Sequence, residues 1–301
     1  MCGIFGCVGE KDVSSLIIKG LKRLEYRGYD SAGLCLETDG SNFEILKSSN
    51  SNYPVDVLSK SLEKSKISSN AGIGHTRWAT HGPINNINTH PHFSYSKNIS
   101  IVHNGIVENY DFLSKFLIRK GVNIFSQTDS ELIAHLVDLM LCSEGNLQSA
   151  IFSVSNMLEG SNTVALMSKE IPQTVFGFTT NSSGGLVVGE KDNYRFLSSD
   201  SYALENFCDS VCFTSKDDLV IISNNSLKII DQNNLPTFPK NINLIKDNNV
   251  NSDEFKDLQT NFIIEKEISE QNVALKKIIA KRILDKPQEA FPEINRHRLL
   301  T

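Results

Sequence analysis

Cys2 stands directly after the initiator in Met1-Cys2-Gly3-Ile4-Phe5-Gly6. Cysteine is small enough that the methionine ahead of it is expected to be trimmed, which would leave a thiol and a free α-amino group on one residue. A cysteine thiol titrates near ~8.5 and an α-amino group near ~7.7 to 8, so the amine can take the thiol proton, directly or through one water, with no histidine required. The thiolate can attack a carbonyl, and the protonated amine can return the proton to a departing ammonia. A cysteine here can equally be a small apolar residue opening a strand, since free cysteines are usually buried. The rest of the chain has to separate the two readings.

Three further clusters could serve such a nucleophile. Gly72-Ile73-Gly74-His75-Thr76-Arg77-Trp78-Ala79-Thr80-His81-Gly82 holds the only tryptophan of the chain. It begins as a strand and leaves the β pattern at its polar end, which predicts a loop over Arg77 to His81, a position that often carries binding residues. The apolar strand Ile99 to His103 runs into Asn104-Gly105. Glycine there permits a positive φ, so its N–H and the asparagine amide can make two adjacent donors for an oxyanion, a plain Asn-Gly turn being the structural alternative. Thr128-Asp129-Ser130-Glu131 reads as a capping box in which Thr128 and Glu131 serve each other's N–H groups, with Asp129 in the first helical turn. In Asn88-Thr89-His90-Pro91-His92 the histidines lack a third ligand at metal spacing, so local hydrogen bonding is expected there. Cys208 and Cys212 have no second Cys or His pair nearby, which argues against zinc.

The elements that must position these groups follow from periodicity. Ile4 to Val8 is a short buried strand, and Asp12 caps a helix in which Val13, Leu16, Ile17, Leu21 and Leu24 recur at helical spacing. The helix ends in Tyr26-Arg27-Gly28-Tyr29-Asp30-Ser31-Ala32-Gly33, whose two glycines predict a sharply bent turn. Leu34 to Glu37 and Phe43 to Lys47 are neighbouring strands, Val55 to Lys64 is a surface helix, and helices over Tyr110 to Arg119, Ser130 to Leu141 and Leu147 to Leu158 fill the middle. Short strands dominate from Thr163 to Ile230, interrupted by a helix at Ser201 to Phe207, which points to antiparallel pairing with helices over a sheet face. Asn233 to Asn251 reads as an irregular loop or linker, Asn261 to Leu284 as a last helix, and Asp285 to Thr301 as a tail without periodicity.

A chain of 301 residues with 40% hydrophobic content can bury a substantial core, as one large domain or one with a short extension. Acidic residues outnumber basic ones 35 to 30 and the formal net charge is -5, which disfavours nucleic acid or an anionic membrane as the main partner. No apolar run reaches about 18 residues and no basic-then-apolar leader is present, so a soluble cytoplasmic protein is expected. The scattered cysteines fit a reducing compartment rather than a disulfide scaffold.

Cys2-Gly3-Ile4, Tyr26-Arg27-Gly28-Tyr29-Asp30-Ser31-Ala32-Gly33, the run from His75 to Gly82, His103-Asn104-Gly105 and Thr128-Asp129 together, in this order, resemble the glutaminase domain of the N-terminal-nucleophile (class II) glutamine amidotransferases. Their wording is most similar to the branch of isomerizing glutamine:fructose-6-phosphate aminotransferases, which make glucosamine 6-phosphate. Amidophosphoribosyltransferases usually have His-Arg-Gly-Gln in place of Tyr-Arg-Gly-Tyr and lack the Trp-Ala-Thr-His run. The likeness continues at Ser199-Asp200 and at Lys266-Glu267-Ile268. The resemblance implies an α+β fold, a four-layer αββα sandwich of two antiparallel sheets, over residues 2–240. Residues 241–301 would then be linker, helix and tail leading toward a sugar-isomerase half absent from this chain. It further implies Cys2 as the nucleophile that forms a glutamyl thioester, with Asn104 and the Gly105 N–H as the oxyanion hole. Arg77 would pair with the α-carboxylate of L-glutamine and Asp129 with its α-ammonium. Trp78, Thr80 and His81 would lie on a loop that closes over the substrate, and Arg27 would order the nucleophile's surroundings. His90 matches a family histidine without a reactive role. No metal and no cofactor are implied.

Two departures shape what is expected. The family enzymes continue into paired sugar-isomerase domains that bind fructose 6-phosphate, whereas this sequence stops at Thr301. Alone it is therefore expected to hydrolyse glutamine to glutamate and ammonia, with a sugar-isomerase domain or subunit as its partner in amino-sugar synthesis. Where the family shows Arg-Ser-Gly-x-Pro-Leu, this chain has Asn181-Ser182-Ser183-Gly184-Gly185-Leu186, which changes the loop's charge and stiffness. The alternatives are an ammonia donor for another acceptor, such as phosphoribosyl pyrophosphate, and an inactive regulatory module that binds glutamine without turning it over.

Overall fold

Strand β1 (Gly3–Gly9) is buried along its whole length, and its two faces explain the layers around it. Phe5 and Cys7 pack on one side with Ile17, Leu21 and Leu24 of helix α1 (Ser14–Leu24), while Ile4 and Val8 belong to a separate apolar cluster on the other. A strand apolar on both faces has to be covered on both.

The structure, a computed structural model, describes residues 2–49, 51–79, 82–181, 185–237 and 241–243, together with the helical positions Ile268, Gln271 and Leu275. After α1 the chain forms β2 (Ser31–Thr38), β3 (Asn42–Ser48), α2 (Pro54–Ser65), β4 (Ala71–Arg77), β5 (His92–Phe93) and β6 (Ile99–Gly105). Three helices follow, α3 (Tyr110–Arg119), α4 (Ser130–Glu144) and α5 (Leu147–Met157). The remainder is β7 (Asn162–Ser168), β8 (Ile171–Thr180), β9 (Val187–Lys191), β10 (Tyr194–Ser198), α6 (Ser201–Leu204), β11 (Ser210–Phe213), β12 (Leu219–Ser223), β13 (Ser226–Ile230) and β14 (Asn241–Asn243). The strands pair antiparallel in two sheets, ordered β14-β11-β9-β10-β1-β4-β2-β3 and β13-β12-β8-β7-β6-β5.

Between the sheets, Ile4, Val8 and Ile73 of the first meet Val102, Ala165, Val175 and Val220 of the second. Helices α1, α2 and α6 cover the outer face of the first sheet, with Val55, Leu58 and Leu204 packed among Leu34, Leu36 and Phe196. Helices α3, α4 and α5 cover the second through Leu113, Leu132, Leu136 and Ile151, over Ile101, Val164 and Phe176. The result is the four-layer αββα sandwich, an α+β fold. Each fully buried Leu or Phe contributes about 1.5–3 kcal/mol, so the helices are held by their apolar faces more than by propensity. Helix α4 is buried on nearly every side from Ser130 to Asp138, and its amino terminus is thereby fixed against β6.

Met1–Lys246 forms one compact unit and Asp247–Thr301 a second. In the second, Ile268, Gln271 and Leu275 are helical and exposed; the rest of the helix expected over Asn261 to Leu284, and the tail, lie outside the described residues. No helix among the described residues is long and apolar enough to cross a membrane.

Several local expectations are corrected. Val13, and not Asp12, is the N-cap of α1; Asp12 Oδ1 instead accepts from the Ser14 N–H (3.1 Å), the Ser14 hydroxyl (2.7 Å) and the Ser69 N–H (3.0 Å), tying the helix start to the segment before β4. The glycines of Tyr26 to Gly33 do not bend the chain, because a single 3-10 turn over Glu25–Arg27 is followed by extended backbone at Gly28. They are needed for close approach. A Cβ on Gly28 would lie 2.7 Å from the Trp78 nitrogen, and one on Gly33 would lie 2.1 Å from the His90 carbonyl oxygen. The helix from Ser201 stops at Leu204, short of Phe207. The stretch Asn233 to Asn251, expected to be irregular, contributes β14 to the edge of the first sheet beside β11.

Gly33→Ala should destabilise the protein by about 1–3 kcal/mol, the usual cost of overpacking, seen as a lower midpoint of urea unfolding. An unchanged midpoint would mean that the His90 carbonyl yields freely.

Candidate active site

Strand parity brings the chemistry-bearing residues to one place. Ile4 faces the second sheet and pairs with His75, so the positions that continue this alternation, Cys2 on one strand and Arg77 on the other, fall on the same side between the sheets. Cys2 Sγ lies against the Trp78 backbone, accepting from its N–H at 3.3 Å, with the thiol 3.6 Å from its carbonyl oxygen. The Cys2 carbonyl accepts from Asn104 Nδ2 at 3.0 Å and from Arg27 Nε at 3.2 Å. Arg27 is itself anchored by Asp200, whose Oδ2 lies 2.6 Å from Nη1 and also accepts from the Tyr26 hydroxyl.

A cavity of about 30 Å3 opens beside the sulfur, and Arg77, Trp78, Gly105 and Asp129 share its walls with Cys2. Gly105 closes β6 with φ +142, and a Cβ there would come within 2.3 Å of the Ser161 carbonyl oxygen, so conformation and space both require glycine. Asp129 is the N-cap of α4 and accepts from the Val107 N–H at 2.7 Å. Arg77 is only 4% exposed. Larger depressions exist, one of about 850 Å3 lined by residues such as Glu37, Asp39 and Gln173, but no cysteine or histidine is among its lining residues. The chemistry, not the volume, identifies the site.

Burial pushes the Cys2 thiol up, against the pull of the Trp78 hydrogen bond, the charged amino terminus, Arg77 and Arg27. The resting sulfur is therefore mostly protonated at neutral pH. Four histidines, His75, His90, His92 and His103, lie buried around the cavity, and burial lowers each of them, so they are neutral. Local hydrogen bonding, expected for both histidines flanking Pro91, holds among the described residues only for His92, whose Nε2 lies 3.1 Å from the Thr128 hydroxyl; both ring nitrogens of His90 lack a hydrogen-bond partner there. Among the described residues no group of three His, Cys, Asp or Glu side chains could hold a metal.

The capping box expected at Thr128 to Glu131 does not form. Glu131 reaches past Thr128 to the Phe125 N–H (3.0 Å) and the Ser126 N–H (2.5 Å) and also meets His135 Nε2 at 3.1 Å. Those two loop amides would otherwise be unpaired beside a buried helix, which outweighs the local motif. The loop so anchored presents Thr128 and Asp129 to the cavity.

Of the residues expected to act, Cys2, Arg77, Trp78, Gly105 and Asp129 line one cavity, and Asn104 touches the Cys2 carbonyl. Arg27 stands behind Cys2 rather than in the cavity. Thr80 and His81 lie outside the described residues, as do 182–184 of the altered loop. Sequence reasoning passed over Asp30, whose Oδ2 takes the Ala79 N–H at 2.8 Å, and the His103–Ser130 contact at 2.9 Å. Asp30 sits inside a quoted motif, but nothing local pointed to its partner.

A family model described as a glutamine amidotransferase domain matches residues 75–206. The chain carries a glutamine amidotransferase domain. Over 298 residues it is 36% identical to the glutamine–fructose-6-phosphate aminotransferase (isomerizing) of Caldanaerobacter subterraneus subsp. tengcongensis, covering 98% of this chain and 46% of the relative. The enzyme of the same name from Tropheryma whipplei is 39% identical over 233 residues, 77% of this chain and 37% of the relative. The chain thus spans less than half the length of these curated relatives. Among solved structures, the glutamine phosphoribosylpyrophosphate amidotransferase from B. subtilis superposes with a TM-score of 0.64 at 23% identity, over 76% of this chain and 49% of that one. The amidotransferase domain therefore has the sandwich fold of that enzyme.

Burial would raise the Glu131 carboxyl, but the bonds from His135, Ser126 and Phe125 outweigh it and hold it at about 2. A folded value below the unfolded one adds stability that is present above the ordinary glutamate value of ~4.3 and is lost as pH falls through the folded value. Glu131→Gln should cost roughly 3 kcal/mol at neutral pH, and the gap to wild type should shrink as urea unfolding is repeated from pH ~5 toward ~2. A gap independent of pH would contradict this account.

Proposed function

We propose that this chain is a glutamine amidohydrolase with Cys2 as nucleophile, releasing ammonia that a sugar-isomerase domain or subunit transfers to fructose 6-phosphate to make glucosamine 6-phosphate. The observation that carries the reading is one cavity shared by the Cys2 thiol, the Arg77 guanidinium and the Asp129 carboxylate. A fixed cation and a fixed anion beside a nucleophile match the two charges of a free amino acid.

Removal of Met1 gives Cys2 its own α-amine as base. That amine takes the thiol proton as Sγ attacks the side-chain amide carbon of glutamine. The carbonyl oxygen becomes an oxyanion facing Asn104 Nδ2 and the Gly105 N–H, each worth roughly 3 kcal/mol in comparable sites. The ammonium returns its proton to the leaving nitrogen, ammonia departs, and a glutamyl thioester remains. Water, deprotonated by the same amine, attacks that thioester and frees glutamate and the thiol.

Arg77 takes the α-carboxylate and Asp129 the α-ammonium, so a simple amide forgoes both contacts and is strongly rejected. Trp78, 43% exposed and set edge-on to Tyr29, is a wall of the cavity that reaches solvent. Trp78, Thr80 and His81 then close over the substrate, while Arg27 keeps Cys2 in register. In this reading the glutaminase unit, expected to end at residue 240, runs on through β14 of the first sheet, and Asp247–Thr301 is the lead-in to the partner. The six free thiols suit a reducing, cytoplasmic setting.

Cys2→Ala should abolish ammonia release while calorimetry still detects glutamine binding, and intact mass should show Met1 removed. Near-wild-type turnover in Cys2→Ala would refute the nucleophile. Adding a sugar-isomerase polypeptide with fructose 6-phosphate should raise the rate of glutamine hydrolysis, and no response would refute the acceptor.

A further inference from the structure

We propose that His75 is a positioning residue of this site, whose Nε2–H fixes the rotation of the Asn104 side-chain amide so that Nδ2 faces the nucleophile. The inference rests on the roles of Cys2 and Asn104 proposed above. His75 is fully buried on β4, paired in register with Ile4 of β1, and its ring lies tilted by 32° against that of His90, with centroids 4.0 Å apart.

Nε2 of His75 lies 3.0 Å from the His103 carbonyl oxygen and 3.0 Å from Asn104 Oδ1. A backbone carbonyl can only accept, so Nε2 carries the hydrogen, and Nδ1, which has no hydrogen-bond partner among the described residues, is the bare nitrogen. Asn104 is oriented by a separate constraint. Its Nδ2 donates to the Cys2 carbonyl at 3.0 Å, another group that only accepts, so the end of the amide toward His75 is the oxygen. The two orientations are independent and agree. Turning the amide by half a rotation would set Oδ1 against the Cys2 carbonyl oxygen and an N–H against the His75 N–H, two repulsive contacts at once.

The ring can hold this role across the working pH range. Burial pushes His75 down to about 3, with His103 and Arg77 as the charged or titratable groups that add to the effect. A neutral ring with a fixed Nε2 hydrogen donates continuously. With one Asn104 hydrogen on the Cys2 carbonyl, the other can point at the oxyanion only while Oδ1 stays on His75.

Paired variants test this. His75→Gln can place an N–H near the Nε2 position, whereas His75→Asn stops short of it. His75→Asn should lower kcat at least about tenfold, toward the 10²–10³ lost with a whole oxyanion donor, and His75→Gln should recover most of that loss. KM should stay within about threefold in both. In an Asn104→Ala background His75→Asn should cost nothing more, because residues acting as a unit are not additive. Additive losses, or a change in KM alone, would overturn the proposal. Nitrogen-edited NMR of the full chain decides the geometry without turnover: His75 should be the Nε2–H tautomer and should not titrate between pH ~5 and ~8. An Nδ1–H tautomer, or titration in that range, would overturn it. A wild type that releases no ammonia would sink the proposed function, while the tautomer would still decide the His75 contact.

Discussion

The hydrogen bonds on the Cys2 carbonyl are what the site depends on. A residue at a chain end ordinarily frays, and fixing its backbone costs about 1–2 kcal/mol. A hydrogen bond from a charged donor returns about 1.5–3 kcal/mol, so the Arg27 contact at 3.2 Å is enough on its own to offset that cost. Asn104 adds a second bond from the opposite sheet. Cys2 is thus clamped between layers that the hydrophobic core has already set in place, and Asp200 keeps Arg27 from swinging away.

The electrostatics follow from the same burial. The four histidines around the cavity are buried, so they are neutral and contribute shape and N–H groups instead of charge. Arg77 and Asp129 stand on the cavity wall as a guanidinium and a carboxyl side chain.

Legibility in the sequence tracked how local each cause is. Strand alternation in Ile4 to Val8, the strand end before Trp78 and the Asn-Gly step after His103 are local patterns, and they brought out the strand ends near Cys2, Arg77 and Gly105, although Arg77 closes β4 rather than opening the loop and β6 runs on through Gly105. What failed was decided across the fold. Gly28 and Gly33 are glycines because Trp78 and His90 approach them, some fifty residues away in sequence, so a turn was the natural but mistaken inference. Glu131 satisfies every requirement of a capping box yet is drawn to Phe125 and Ser126, whose unpaired amides no local rule reveals. The contact between His75 and Asn104 spans two sheets and was invisible for the same reason.

The central claim is that the cavity beside Cys2 recognises glutamine and delivers it to that sulfur. All six cysteines are free, and Cys142 is exposed whereas Cys2 is only partly so, so access alone would make Cys142 react first. Treating the protein with a chloroketone analogue of glutamine and mapping the adduct by mass spectrometry tests the claim most directly. The account predicts modification at Cys2 ahead of Cys142 and protection by free glutamine. Labelling that begins at Cys142, or that glutamine does not slow, would contradict it.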